Sequence, residues 1–199
     1  WHGGVNSIVR RISLRSVDGK PQLVSQPIGA LDKLEGAEER RADVKVTTSS
    51  TVTLPQPTTD AYRLRVELDP ASNAKEVRFR LKEKGEHFVI VGYNFSDSTV
   101  FVKREKDAIA EAMPGVYRKV MKSMVKARNG IVKLDIIVDT TSIEVFVNNG
   151  ETVLSNLVFA PAGANGLSVE SIGGNTDIRS FRLTPLKVAP VKRRDVDAQ

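Results

Sequence analysis

The sequence predicts an all-β protein, a two-sheet antiparallel β-sandwich. Three observations carry that prediction: two-residue alternation of apolar and polar side chains along most of the chain, turn-forming residues between the alternating runs, and no alternation of strands with long helical patterns. Strict alternation marks strands with one buried and one solvated face, as in antiparallel sheets. Many short strands at close spacing then favour two packed sheets over a parallel α/β fold.

The alternating runs fall, in order, at residues 43–54, 62–68, 77–81, 87–93, 99–103, 131–139, 143–148, 153–159, 167–171 and 177–183. Reversals are expected at Asp69-Pro70, Lys84-Gly85, Ser96-Asp97, Asn129-Gly130, Asn148-Asn149-Gly150, 161–166 and Gly173-Gly174-Asn175, where glycine, asparagine and proline supply turn geometry. Two further extended runs, 7–14 and 22–25, flank the turn Asp18-Gly19-Lys20-Pro21. One segment departs from this rhythm. Val116, Tyr117, Val120, Met121, Met124 and Val125 recur at helical spacing after Pro114-Gly115, without a good N-cap. It reads as a short helix or irregular loop crossing the sandwich, its methionines filling core gaps and not forming a binding stripe.

Composition narrows the function classes. The 199 residues are 40% hydrophobic and 27% charged, enough for one large domain with a buried core. No apolar run approaches the ~18 residues of a membrane helix, so no membrane partner is expected. Thirty Lys and Arg against 24 Asp and Glu give a net charge of +6, with the excess in 118–133 and 187–194. The first basic stretch has only Tyr117 at its edge for stacking, so it reads as a solvated face and no nucleic-acid partner is expected. The second, with Lys192-Arg193-Arg194, reads as a solvated tail. Cysteine is absent, which removes disulfides, thiolate nucleophiles and cysteine metal sites. His2 and His87 lie far apart and form no metal spacing, so neither metal nor cofactor is expected. The start at Trp1-His2-Gly3-Gly4, with no signal-peptide pattern, reads as a cut within a longer polypeptide.

Two stretches carry a family resemblance. The first joins residues 1–15, with Trp1, Gly3, Ser7, Arg10 and Leu14, to Asp18-Gly19-Lys20-Pro21 and Gln26-Pro27. It resembles the end of the catalytic propeller in glycoside hydrolase family 32, the invertases, inulinases and levanases, with Val9 where that family usually has proline. The second runs from Asp139 through Ser142, Glu144, Val145 and Phe146 to Asn148-Asn149-Gly150. It is similar to the family's Asp-x-Ser-Ser-x-Glu-Val-Phe strand and Asn-Asp-Gly turn, with Thr141 for the first serine and Thr140 for the usual arginine. Gly92-Tyr93, Ser98 and Val102-Lys103-Arg104 resemble a third stretch of the same family.

The resemblance implies a concanavalin-like jelly roll and three parts: a propeller-closing remnant and linker over 1–36, a β-sandwich over 37–187, and a polar tail over 188–199. Within that division, residues 35–41 read as a charged connector. It further implies a secreted, retaining β-fructosidase as parent. The family's catalytic motifs, Asn-Asp-Pro-Asn, Glu-Cys and Arg-Asp-Pro, do not occur here, and Leu68-Asp69-Pro70 lacks the arginine and reads as a turn. Glycoside hydrolysis needs a pair of carboxyls at sugar-sized separation, and the sequence offers Glu144 no second carboxylate.

The chain is therefore expected to be non-catalytic alone. Its partner would be the catalytic β-propeller of the same parent, whose substrate cleft it flanks and whose fold it stabilises. Alternatively it is an independent binding module for levan or inulin, or it dimerises through exposed sheet edges. Candidate sugar contacts are Glu144, Tyr93, Asn94 and Arg104, with structural readings beside three of them: Glu144 as an in-sheet ion-pair partner, Tyr93 as a rim residue and Arg104 as a strand-end charge. Asp139, Ser142 and Phe146 read as structural, with Asp139 accepting backbone N–H bonds in a tight hairpin. Asn94-Phe95-Ser96 is an N-glycosylation acceptor triplet.

Overall fold

The computed structural model describes residues 6–48 and 52–187. Among these, thirteen strands form one hairpin and two larger antiparallel sheets. The hairpin pairs β1 (Arg10–Val17) with β2 (Lys20–Pro27), and a 3-10 turn, Gly29–Leu34, follows it. The remaining strands are β3 (Glu39–Val46), β4 (Tyr62–Leu68), β5 (Glu76–Lys84), β6 (His87–Asn94), β7 (Thr99–Lys103), β8 (Met121–Met124), β9 (Val132–Val138), β10 (Ser142–Val147), β11 (Thr152–Leu157), β12 (Gly166–Ile172) and β13 (Thr176–Pro185). They assemble as a six-stranded sheet, β11-β10-β9-β4-β13-β3, and a five-stranded sheet, β12-β5-β6-β7-β8.

Alternation places the core between the two sheets. Tyr62, Leu64, Val66 and Leu68 of β4, Leu134 and Ile136 of β9, and Ile143, Val145 and Val147 of β10 are buried with Val77, Phe79 and Leu81 of β5 in one cluster. The intervening residues Arg63, Arg65, Lys133, Asp135, Glu144 and Phe146 therefore project from the opposite, outer face of the six-stranded sheet. That face has its own apolar cluster. Ile137, Phe146 and Leu186 are buried there, packed by Ile8 and by Leu31 and Leu34 of the 3-10 turn. Where β6 passes β7, Gly92 lets the Phe101 ring approach: a Cβ there would lie 2.3 Å from that ring.

Several expectations change. The first sandwich strand is not 43–54 but Glu39–Val46, so Glu39 to Arg41 belong to a strand and not to the connector. This strand pairs only with β13, and nearly all of it faces solvent, so its charges leave no alternation to read. The segment expected as a helix or loop is a 3-10 turn, Gly115–Arg118, followed by strand β8. Its methionines do not fill the core: Met121 and Met124 are exposed, and Tyr117 and Val125 alone anchor the stretch. Pairing of Met121–Met124 with β7 outcompetes a helical period too short to nucleate a helix. Residues 1–5, 49–51 and the tail 188–199 lie outside the described residues.

Candidate functional site

The outer face of the six-stranded sheet gathers the most elaborate side-chain chemistry, and Glu144 is at its centre. In β10 it stands opposite Ser155 of β11 and Ile137 of β9, and only 1% of its surface is exposed. One carboxylate oxygen accepts the Ile8 backbone N–H at 2.6 Å, and the other accepts the Arg10 guanidinium and the Ser155 hydroxyl. The Arg10 guanidinium also lies 5.3 Å from the centre of the Phe146 ring. Glu144 and Phe146, two residues apart on one strand, thus face the same way and hold the same arginine. The expected ion pair exists, but its partner is in the hairpin and not in the sheet.

Three further contacts dock the hairpin. The Ser25 N–H donates to the Gly150 carbonyl at 3.0 Å, the Gln22 side chain to the Glu151 carbonyl at 2.9 Å, and Arg128 to Asp18 at 2.7 Å. Gly150 has φ +87°, and a Cβ there would lie 2.1 Å from the Ser25 carbonyl oxygen, so both backbone shape and close approach require glycine.

Between hairpin and sheet lies a polar cavity of about 520 Å3, lined among others by Arg11, Gln26, Lys133, Asn149 and Arg182. At its floor Arg63 binds Asp135 through both arms of its guanidinium at 2.7 and 2.6 Å, and also Asp32 and Glu35 at 2.8 Å. Burial is the largest single influence and opposes the charge, but Asp135, Asp32 and Glu35 together outweigh it and push the Arg63 guanidinium still further toward the charged form. Glu35 also binds Arg65. Asp32, Glu35 and Asp135 are thereby committed to arginines, an arrangement that fixes the 3-10 turn against the sheet, and Glu67 of the same cavity pairs with Lys133 at 3.2 Å.

The expected sugar contacts do not come together. Tyr93 is in the inter-sheet core and not on a rim, its hydroxyl donating to the Val125 carbonyl at 3.2 Å, so its ring offers no platform. Asn94 caps the turn after β6, accepting the Ser96 N–H at 2.9 Å and the Asp97 N–H at 3.2 Å and donating to Glu76. Arg104 is buried over the Tyr117 ring at 4.2 Å and donates to the Leu157 carbonyl at 3.1 Å. Beside it the Tyr117 hydroxyl binds Asp107 at 2.8 Å; burial first, then that hydrogen bond, pushes the phenol well above its ordinary pKa. Asp139 accepts the Thr140 N–H at 2.7 Å, and its own N–H donates to the Ser142 carbonyl at 2.9 Å, closing the β9–β10 hairpin. Among the described residues no group of three or more His, Asp or Glu is placed to hold a metal ion.

A family model described as "Glycosyl hydrolases family 32 C terminal" matches residues 30–185. The chain belongs to that family. The family 32 C-terminal domain begins, by this match, in the 3-10 turn and ends with β13. The chain is 29% identical over 189 residues to a levanase of Bacillus sp. (strain L7), spanning 94% of this chain and 20% of that protein. It is 32% identical over 180 residues to a levanbiose-producing levanase of Bacillus subtilis (strain 168), spanning 89% of this chain and 34% of that one. The chain thus spans about a fifth and about a third of these two curated relatives. Among solved structures, exo-inulinase from Aspergillus awamori matches with a TM-score of 0.78 at 23% identity, covering 90% of this chain and 35% of that one, which shows the shared fold.

Sequence reasoning missed Arg10, Arg63 and Asp135 as organising residues. Alternation in 62–68 puts Arg63 on the outer face, a readable signal, but nothing local tells which carboxylates three other segments bring to it.

Proposed function

We propose that this chain is the non-catalytic C-terminal β-sandwich module of a secreted, fructan- or sucrose-cleaving β-fructofuranosidase-type hydrolase, stabilising a catalytic domain ahead of it and flanking that domain's substrate cleft. The observation that carries the reading is the use of Glu144. Among the described residues, the most buried carboxylate of the outer face binds the Ile8 N–H and the Arg10 side chain, so the sandwich uses a desolvated anion to hold the chain that precedes it. A general acid or nucleophile must reach a substrate, and this carboxylate is sealed under the hairpin. The names of the levanase relatives, and of an extracellular exo-inulinase of Aspergillus awamori at 27% identity over 186 residues, support fructan as the substrate class and secretion as the setting.

The test uses the polypeptide that carries this module behind its catalytic domain. Glu144→Ala is expected to shorten the half-life of fructan-cleaving activity at raised temperature while leaving kcat/KM at the assay temperature unchanged. An unchanged half-life, or a loss of kcat/KM in fully folded enzyme, overturns the reading.

A further inference from the structure

The basic stretch that reads as a solvated face, and the methionines that read as core, meet on one exposed strand edge. Strand β8 closes the five-stranded sheet and, among the described residues, pairs only with β7. Because the Val125 N–H donates to the Ser98 carbonyl at 2.7 Å, residues 121, 123 and 125 direct their backbone groups toward β7. The N–H and C=O groups of Lys122 and Met124 therefore point away from the sheet, and no hydrogen bond to them occurs among the described residues.

The side chains along this edge have one character. Val116, Val120, Met121 and Met124 are exposed, Met124 to 75%. Arg118, Lys119, Lys122 and Lys126 are exposed beside them, and none has an ion-pair partner among the described residues. Between Glu111 and Asp135 the sequence has no acidic residue at all. Elsewhere Arg63, Arg65, Arg78, Arg80, Arg128 and Arg179 pair with carboxylates. The opposite situation holds at the other sheet's edge strand β3, which mixes Glu39 and Asp43 among its basic residues and kinks at Asp43 with φ 51°. Such an edge is guarded against pairing.

We propose that the free edge of β8 is a docking site for an extended, acidic segment of another polypeptide, which adds to the five-stranded sheet as a further strand. The outward backbone groups of Lys122 and Met124 supply the ladder bonds, the unpaired cations select acidic side chains, and Val120, Met121 and Met124 receive alternate apolar ones. Lysines alone would guard an edge; four aliphatic side chains beside them add attraction that a guard does not need. A second copy of this chain is disfavoured, since it would bring the same uncompensated positive charge to the pairing. A lipid surface would satisfy the charge and leave the strand's N–H groups without partners.

The probe is a capped, fluorescein-labelled peptide of alternating Glu and Val, compared with its Lys and Val counterpart, against the 199-residue chain by anisotropy and amide NMR at pH 7. The Glu peptide is expected to bind, to weaken as salt rises, and to shift the amides of Lys122 and Met124 most. The double variant K119E/K122E, whose side chains are exposed and whose unchanged unfolding midpoint verifies the fold, is expected to lose about tenfold in affinity for the Glu peptide and to gain the Lys peptide. The proposal is overturned by absence of Glu-peptide binding up to about 1 mM, by equal binding of both peptides, or by amide shifts elsewhere. It is equally overturned by unchanged affinity in the variant, by capture on phosphatidylserine vesicles without peptide binding, or by self-association through β8.

Discussion

Removing the Glu144 carboxylate should undock the β1–β2 hairpin without unfolding the sandwich. In Glu144→Ala the Ile8 N–H and the Arg10 guanidinium lose their carboxylate acceptor together, and Arg10 keeps only the Ser155 hydroxyl. Each hydrogen bond to a charged group contributes about 1.5–3 kcal/mol, and breaking a buried pair costs about 3–5 kcal/mol. Arg10 retains 22% side-chain exposure and can turn to water, which recovers part of that cost, so about 3 kcal/mol is expected. The loss is local. Ser25, Gln22 and Asp18 still hold the hairpin elsewhere, and the inter-sheet core does not include Glu144. Hydrogen exchange by mass spectrometry should therefore show the hairpin amides opening about a hundredfold more often, 3 kcal/mol being a little over two factors of ten. Core strands β4 and β9 should keep their protection. Glu144→Gln keeps an acceptor for Ile8 and should lose about half as much. Unchanged hairpin exchange in Glu144→Ala, or equal loss of protection in β4, would refute the assignment of Glu144 as a docking anion.

Other expectations follow from the same geometry. Gly150→Ala places a methyl against the Ser25 carbonyl at a positive φ, so it should destabilise hairpin docking by more than about 1 kcal/mol, seen as faster exchange at Ser25; a protection equal to wild type contradicts this. Tyr117→Phe deletes the hydroxyl shared by Asp107 and the Leu157 carbonyl and should lower stability by about 1–3 kcal/mol in urea titration, with no loss expected if that hydroxyl were idle. Asp69 is held below its ordinary pKa by the Arg179 hydrogen bond first and the Ala71 N–H second. Its folded value lying below its unfolded one, the stability it contributes is present above about pH 4 and lost as pH falls through the folded value. Arg179→Met should raise the Asp69 pKa in a carboxyl NMR titration; an unmoved titration removes Arg179 as the cause.

What the sequence discloses follows the physics of each segment. Tyr62–Leu68 is legible to the residue because Tyr62, Leu64, Val66 and Leu68 meet the inter-sheet core and the residues between them face the other way; Thr99–Lys103, buried on both faces, is legible from its apolar run and the turn residues before it. Edge strands are not. Glu39–Val46 exposes most of its residues, and Met121–Met124 exposes three of four, so neither carries a periodic imprint of burial. The candidate site divides the same way. Glu144 and Phe146 are legible as a pair on one face, and the family resemblance marks them. Their partner Arg10 lies 134 residues away from Glu144 and is joined to it only by the fold. Tyr93 reads as a rim residue from its place near a turn, yet alternation with Val91 and Val89 puts it in the core. The Arg63 cluster draws on the 3-10 turn, its connector, β4 and β9 at once, a convergence no local pattern encodes.

In the proposed role this module supports chemistry performed in another domain and performs none on fructans itself. The most direct measurement is fructose release from levan, inulin and sucrose by the purified 199-residue chain, followed by chromatography over a long incubation. No fructose above a buffer blank is expected from any of the three. Sustained release that scales with chain concentration would contradict it, and would require a carboxylate pair outside the arginine-bound clusters described above.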